Sequence, residues 1–131
     1  MIDLLAELTG GDDERAENAI LAIVGLGAAA IPALLDLTRS ADSDSRWWAV
    51  RALAASPHTQ TSDLIPFLSD SNPEMRAAAA LALSYHPGEE ALSALTQTLR
   101  DSDPLTAGLA ANALVKLGKV AVPSLIEAAG E

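Results

Sequence analysis

Four stretches decide the fold: RAENAILAI (15–23), SRWWAVRAL (45–53), MRAAAALAL (75–83) and TAGLAANAL (106–114). They align without a gap, and two columns, Ala19/Ala49/Ala79/Ala110 and Ala22/Ala52/Ala82/Ala113, are alanine in all four. The column after the second is Ile23, Leu53, Leu83 or Leu114. Apolar residues three and four apart share one face of an α-helix, so each stretch predicts an amphipathic helix with a buried stripe. Alanine within that stripe predicts that helix backbones approach one another closely there.

The flanks repeat as well. Upstream, Asp12, Asp42, Asn72 and Asp103 fall in register, residue types whose side-chain oxygens accept the unpaired N–H groups of a first helical turn. The next position is Asp13, Ser43, Pro73 or Pro104, and proline suits the first helical position because its missing donor is not needed there. Asp13, Glu14, Asp44 and Glu74 put negative charge in first turns, as the helix dipole favours. Downstream, Gly27, Pro57, Pro87 and Gly118 supply a breaker in every copy, and a second apolar helix pattern follows each. The chain therefore divides into four helix-turn-helix repeats, Gly11–Ser40, Ala41–Ser69, Asp70–Arg100 and Asp101–Glu131.

The second helices are less uniform. AAAIPALLDL (28–37) and KVAVPSLIEA (119–128) match each other, with Pro32 aligned to Pro123. The third repeat reads EEALSALTQTL (89–99); the second, SDLIPFL (62–68), is shorter, with Thr61–Asp63 as its cap region. IDLLAEL (2–8) precedes the first full repeat as a lone second helix, so residues 1–10 form an N-terminal capping helix. No helix of this set buries its stripe alone; stacking of neighbours makes the core.

Composition agrees. Half of the 131 residues are hydrophobic and only 3% aromatic, with 27 Ala and 21 Leu, a helix composition rather than the Val, Ile, Thr and aromatic bias of sheets. Eight Lys and Arg against 18 Asp and Glu give a net charge of -10, which repels phosphate backbones and anionic lipid, so neither nucleic acid nor membrane is expected as a partner. There is no cysteine, which excludes disulfides, thiolate metal sites and a Cys nucleophile. With an acidic start and no long apolar run, the expectation is a soluble, cytoplasmic protein.

An acidic cap, an Arg, two variable positions, Ala-Ala, one variable, Ala-Leu, a break and a second Leu-rich helix together resemble the short HEAT-like repeats of phycobilin-lyase type. The resemblance covers residues 11–131 and is clearest at Asp70, Met75, Arg76, Ala79, Ala80, Ala82 and Leu83. Two positions depart from the pattern: Arg15 stands at the usual apolar position, and Ala107 stands where Arg is usual. The resemblance implies an all-α fold, a right-handed α-solenoid of four HEAT-like repeats with an extra N-terminal helix, in one domain spanning 1–131.

The resemblance reaches several activities, and the residues test each. Deoxyhypusine hydroxylase relatives hold iron with paired His-Glu dipeptides; here His58 precedes Thr59 and His86 precedes Pro87, so that ligand set is missing. HEAT-like DNA glycosylases need a basic face, whereas Arg15, Arg39, Arg46, Arg51, Arg76, Arg100, Lys116 and Lys119 are scattered. Bilin lyases hold a propionate-bearing tetrapyrrole, for which Trp47, Trp48, Tyr85 and the Arg46/Arg76 column supply only fragments. His58 and His86, with Asp63, Glu89 and Glu90 near in sequence, read as solvated loop residues rather than as a metal site. The chain is expected to be no enzyme, with no catalytic residue, cofactor or metal.

The surface carries the functional expectation: a non-catalytic protein–protein interaction module, an adaptor or scaffold, with a tetrapyrrole-handling subunit as the alternative. Trp47 and Trp48 stand where other repeats have Glu17-Asn18, Ala77-Ala78 and Gly108-Leu109. Adjacent helix positions point about 100° apart, so one indole, Trp48, is expected to cover small residues of a flanking helix and the other to be exposed. Arg46 and Arg51 flank them, and Trp is enriched at binding hot spots. Asp36, Gln97 and Glu127, with Ala29, Ala33, Ser93 and Ser124, face away from the second-helix stripes and would line a small-residue, acidic groove. Weak self-association is expected through the C-terminal end or the Trp patch.

Overall fold

The computed structural model describes residues 3–129, with side chains described through residue 118. Every element among the described residues is helical. The chain forms two compact units, Met1–Thr59 and Gln60–Glu131, each of packed helix pairs of the α-solenoid class.

In the N-terminal unit, α1 (Leu4–Leu8) begins where Asp3 accepts hydrogen bonds from the N–H groups of Leu5 and Ala6. α2 (Asp13–Gly25) is capped by Asp12, which accepts the Arg15 N–H at 3.0 Å. Gly27 takes φ +71°, a left-handed conformation open to glycine at little cost, and a 3₁₀ turn over Gly27–Ala30 leads into α3 (Ile31–Leu37). α4 (Ser43–Ala55) is capped by Asp42, which accepts from both the N–H and the hydroxyl of Ser45. These bonds, the hydroxyl's foremost, hold the Asp42 carboxyl below its ordinary range. α1 and α4 pack on α2, and α3 packs on α4.

In the C-terminal unit, α5 (Thr61–Leu64) runs into a 3₁₀ turn over Ile65–Ser69. Its cap is Gln60, in a reciprocal box with Asp63, one residue before the expected cap region. α6 (Pro73–Tyr85) starts at Asn72, and a 3₁₀ turn at Glu89–Ala91 precedes α7 (Leu92–Thr98). Asp103 accepts from the N–H and hydroxyl of Thr106 at the start of α8 (Pro104–Ala129). All four predicted caps thus act on the predicted helices.

The breakers do not all act alike. Ser56 and His86, each ahead of a proline, leave the helix as the pyrrolidine ring requires. Gly118 breaks nothing: α8 runs straight through it to Ala129, so the two helices expected in the fourth repeat are one. Glycine inside a helix costs about 1 kcal/mol; it neither removes a hydrogen bond nor clashes, and no proline follows it directly.

The alanine columns lie in the packed core of each unit, with one exception. Ala49, Ala52, Ala79, Ala82, Ala110 and Ala113 are 0% exposed and Ala19 is 3%. Ala22 departs: it is exposed.

The Arg46/Arg76 column binds the chain's own backbone. Arg46 donates to the carbonyls of Ser40 and Ala41 at 3.0 and 3.3 Å. Arg76 donates likewise to Asp70 and Ser71 and adds a two-pronged bond to the Asp101 carboxylate at 2.8 and 3.1 Å. That pair ties the third repeat to the fourth with side chains only 17% and 10% exposed. The Arg76 hydrogen bond, then the Asp103 N–H, hold the Asp101 carboxyl below its ordinary value.

Two expectations follow. Ala82→Leu should overpack the core of its unit and lower stability by about 1–3 kcal/mol in chemical denaturation, whereas the in-register Ala22→Leu should stay within about 0.5 kcal/mol. Asp101→Asn should melt below the wild type at neutral pH. Because the folded Asp101 pKa lies below the ordinary 3.8, its contribution is complete above that pH and fades as pH falls beneath it. The gap between variant and wild type should therefore close in strong acid.

Candidate functional site

Trp47 and Trp48 are consecutive on α4, and Arg51 follows one turn later, where the helix brings it onto the same side as both. The two indoles meet edge to face, with centroids 4.9 Å apart and planes at 86°, the arrangement favoured by the ring quadrupole. The Arg51 guanidinium stands 5.2 Å from the Trp47 ring and 5.9 Å from that of Trp48, close enough for cation–π attraction. Its Nη2 donates to Glu17 Oε1 of α2 at 2.7 Å. Two helices therefore build one cluster, with Glu17 and Trp47 sharing a register column.

Exposure divides the pair. Trp48 is 8% exposed and belongs to the core. Trp47 is half-buried rather than freely projecting: the perpendicular contact folds its ring onto Trp48, and Arg51 lies over it. The Arg51 and Glu17 side chains are 37% and 50% exposed. The surface of this cluster is thus part of one indole, a guanidinium and a carboxylate half in solvent. An ion pair this exposed contributes about 0–1 kcal/mol, so exchanging its partner is inexpensive.

Arg46 does not join the cluster's surface, being held on the Ser40 and Ala41 carbonyls. Asp36 in the N-terminal unit and Gln97 in the C-terminal unit are exposed on α3 and α7. Glu127 and Ser124 lie outside the residues whose side chains are described. Among the described residues, no three His, Asp or Glu side chains stand where they could hold a metal ion.

Two features escaped the sequence reading. Leu21 is 74% exposed on α2; its column holds Leu21, Arg51, Leu81 and Asn112, and that mixture of polarity was the available sign of a surface position. The second is an apolar cleft of about 410 Å³ in the N-terminal unit, lined by Leu4, Leu5, Ile23, Leu26, Ala33 and Leu34 among others, with Asp3 its only charged residue. Its walls come from α1, the end of α2 and α3, a juxtaposition that no linear residue pattern announces.

Comparisons with known proteins bear on the fold. The HEAT repeats family matches residues 61–131, more than half the chain. A crystal structure of an engineered protein from the Northeast Structural Genomics Consortium is similar at 25% identity and a TM-score of 0.60, over 97% of this chain and 67% of that one. No curated protein matches.

The two tryptophans should separate in stability measurements. Trp48→Ala should cost about 3–5 kcal/mol, as for a large core side chain, and Trp47→Ala clearly less. Equal losses in urea titrations would mean that Trp47 is a packing residue too.

Proposed function

Since the chain belongs to the HEAT repeat family, we propose that it is a non-catalytic adaptor or scaffold that binds another protein through the Trp47–Arg51 cluster. Repeats of this family commonly bind other proteins, and stacked helix pairs present broad rigid surfaces suited to that. One observation carries the choice of site: Trp47 is a large aromatic residue left half-exposed by a fixed perpendicular contact with Trp48. A ring already held in place loses little further entropy on binding. Arg51 beside it fits a partner carboxylate or carbonyl, which would take the place of Glu17. The matching partner segment presents an apolar side chain next to an acidic or hydrogen-bond-accepting one.

The tetrapyrrole alternative draws little from the geometry, because Arg76 of its anchoring column is engaged by Asp101 and two carbonyls. No helix among the described residues is long and apolar enough to cross a membrane, and we place the protein in the cytoplasm.

The test is affinity capture from a lysate of the source organism, with Trp47→Ser and Arg51→Ala each compared with wild type after both are shown to fold. Trp48 stays in place, since its loss would confound binding with stability. Retention of one near-stoichiometric protein by the wild type, and its weakening by about thirtyfold or more in Trp47→Ser, is the expected result for a hot spot. Undiminished capture by both variants would remove this surface from consideration.

A further inference from the structure

The repeat register shows which face of each first helix meets its neighbours. On α8 the stripe Thr106, Ala110, Ala113 and Leu117 is at most 1% exposed; α8 packs on α6, and the Thr106 hydroxyl lies 3.3 Å from the carbonyl oxygen of Pro73 at the start of α6. This is the face turned towards the preceding repeat. The opposite face of α6, towards the following repeat, includes Ala80 at 0% and Ser84 at 7%.

On α2 and α8, residues of the same columns are exposed. The preceding-repeat face of α2 is Arg15, Ala19, Ala22 and Leu26, where Arg15 and Ala22 are exposed and Leu26 is 58% exposed. The counterparts Ser45, Ala52 and Ser56 on α4 are 8%, 0% and 2% exposed. The following-repeat face of α8 holds Ala111 and Val115, in register with Ala80 and Ser84; Ala111 is exposed and Val115 is 64% exposed. One chain therefore presents both halves of the contact that α6 and α8 make inside the C-terminal unit.

We propose that a second copy of this chain covers these faces head to tail, the Ala111/Val115 face of α8 in one copy seating on the Ala22/Leu26 face of α2 in the next. Small residues meet small residues, as along the α6–α8 contact, so the helices approach to the same depth. The contact is heterologous, using two different patches, so it propagates rather than closing at a dimer unless its rotation completes a ring. It lacks the two-pronged bridge of Arg76 with Asp101: Ala107 stands at the Arg76 position and Gly10 at the Asp101 position. Copies of net charge -10 also repel, so the association is weak and strengthens as salt screens that repulsion.

Sedimentation velocity on the full chain, up to about 1 mM as small interfaces require, tests this at low and high salt. Wild type should rise in mean mass with concentration, further at high salt. Ala22→Arg blocks the head and Ala111→Arg the tail; both positions are exposed, so each variant should melt like wild type and remain monomeric alone. An equimolar mixture retains one free tail and one free head, and should form a one-to-one dimer that grows no further. A monomeric wild type throughout, association of either variant alone, or a mixture that stays monomeric would each overturn the proposal. None of these residues belongs to the Trp47 cluster, so failure here leaves the adaptor reading standing.

Discussion

Close approach of helices at alanine is the constraint on which the rest depends. Where first helices pair, α2 with α4 and α6 with α8, close approach leaves little space along the axis, and a side chain that ends at Cβ fits there while losing no rotamer freedom. The Ala49, Ala79 and Ala110 positions are fully buried, and Leu53 and Leu83 fill the space beside them. Alanine is also the best helix former, so one residue type satisfies local propensity and tertiary packing together. Its weakness is the small apolar area each side chain buries.

The acidic composition takes on a different meaning in the structure. Asp3, Asp12, Asp42 and Asp103 accept N–H groups at helix starts, and Asp101 receives Arg76. These five of the 18 acidic residues therefore start helices or join repeats, and are not simply a field spread for a cationic partner. The arginine column works from the other side, drawing loop carbonyls of Ser40, Ala41, Asp70 and Ser71 onto a guanidinium. The two arginines thereby fasten the loops that lead into α4 and α6.

Legibility in the sequence followed periodicity. Helix starts were readable because Asp, Asn and Pro act within four residues of where they stand, and the buried columns because a stripe repeats. The end of α8 was not readable, since Gly118 is permissive in a helix and Gly27 differs from it only in the conformation its surroundings impose. Ala22 was misplaced for a related reason: an alanine column states that a neighbour fits, not that one is present. Within the site, the buried Trp48 was anticipated from the about 100° step between neighbours. The half-burial of Trp47 was not, because it depends on the perpendicular ring contact and on Arg51 reaching Glu17 across two helices, neither of which leaves a trace in a linear pattern.

Function in a repeat protein concentrates where a column breaks its own rule, yet a broken column has two causes that only packing separates. Trp48 breaks the small-residue rule and is buried, so its bulk answers a gap inside the protein. Trp47 breaks it at the next position and keeps part of its ring in solvent, held by Trp48 on one side and Arg51 on the other. A ring fixed but incompletely covered adds less to folding than its area allows, and that unburied remainder stays available to a partner. The same reasoning distinguishes Ala22 and Ala111 from the alanines in their columns: the residue is unchanged, the cover is missing, and the shape cut for a neighbouring helix is still there.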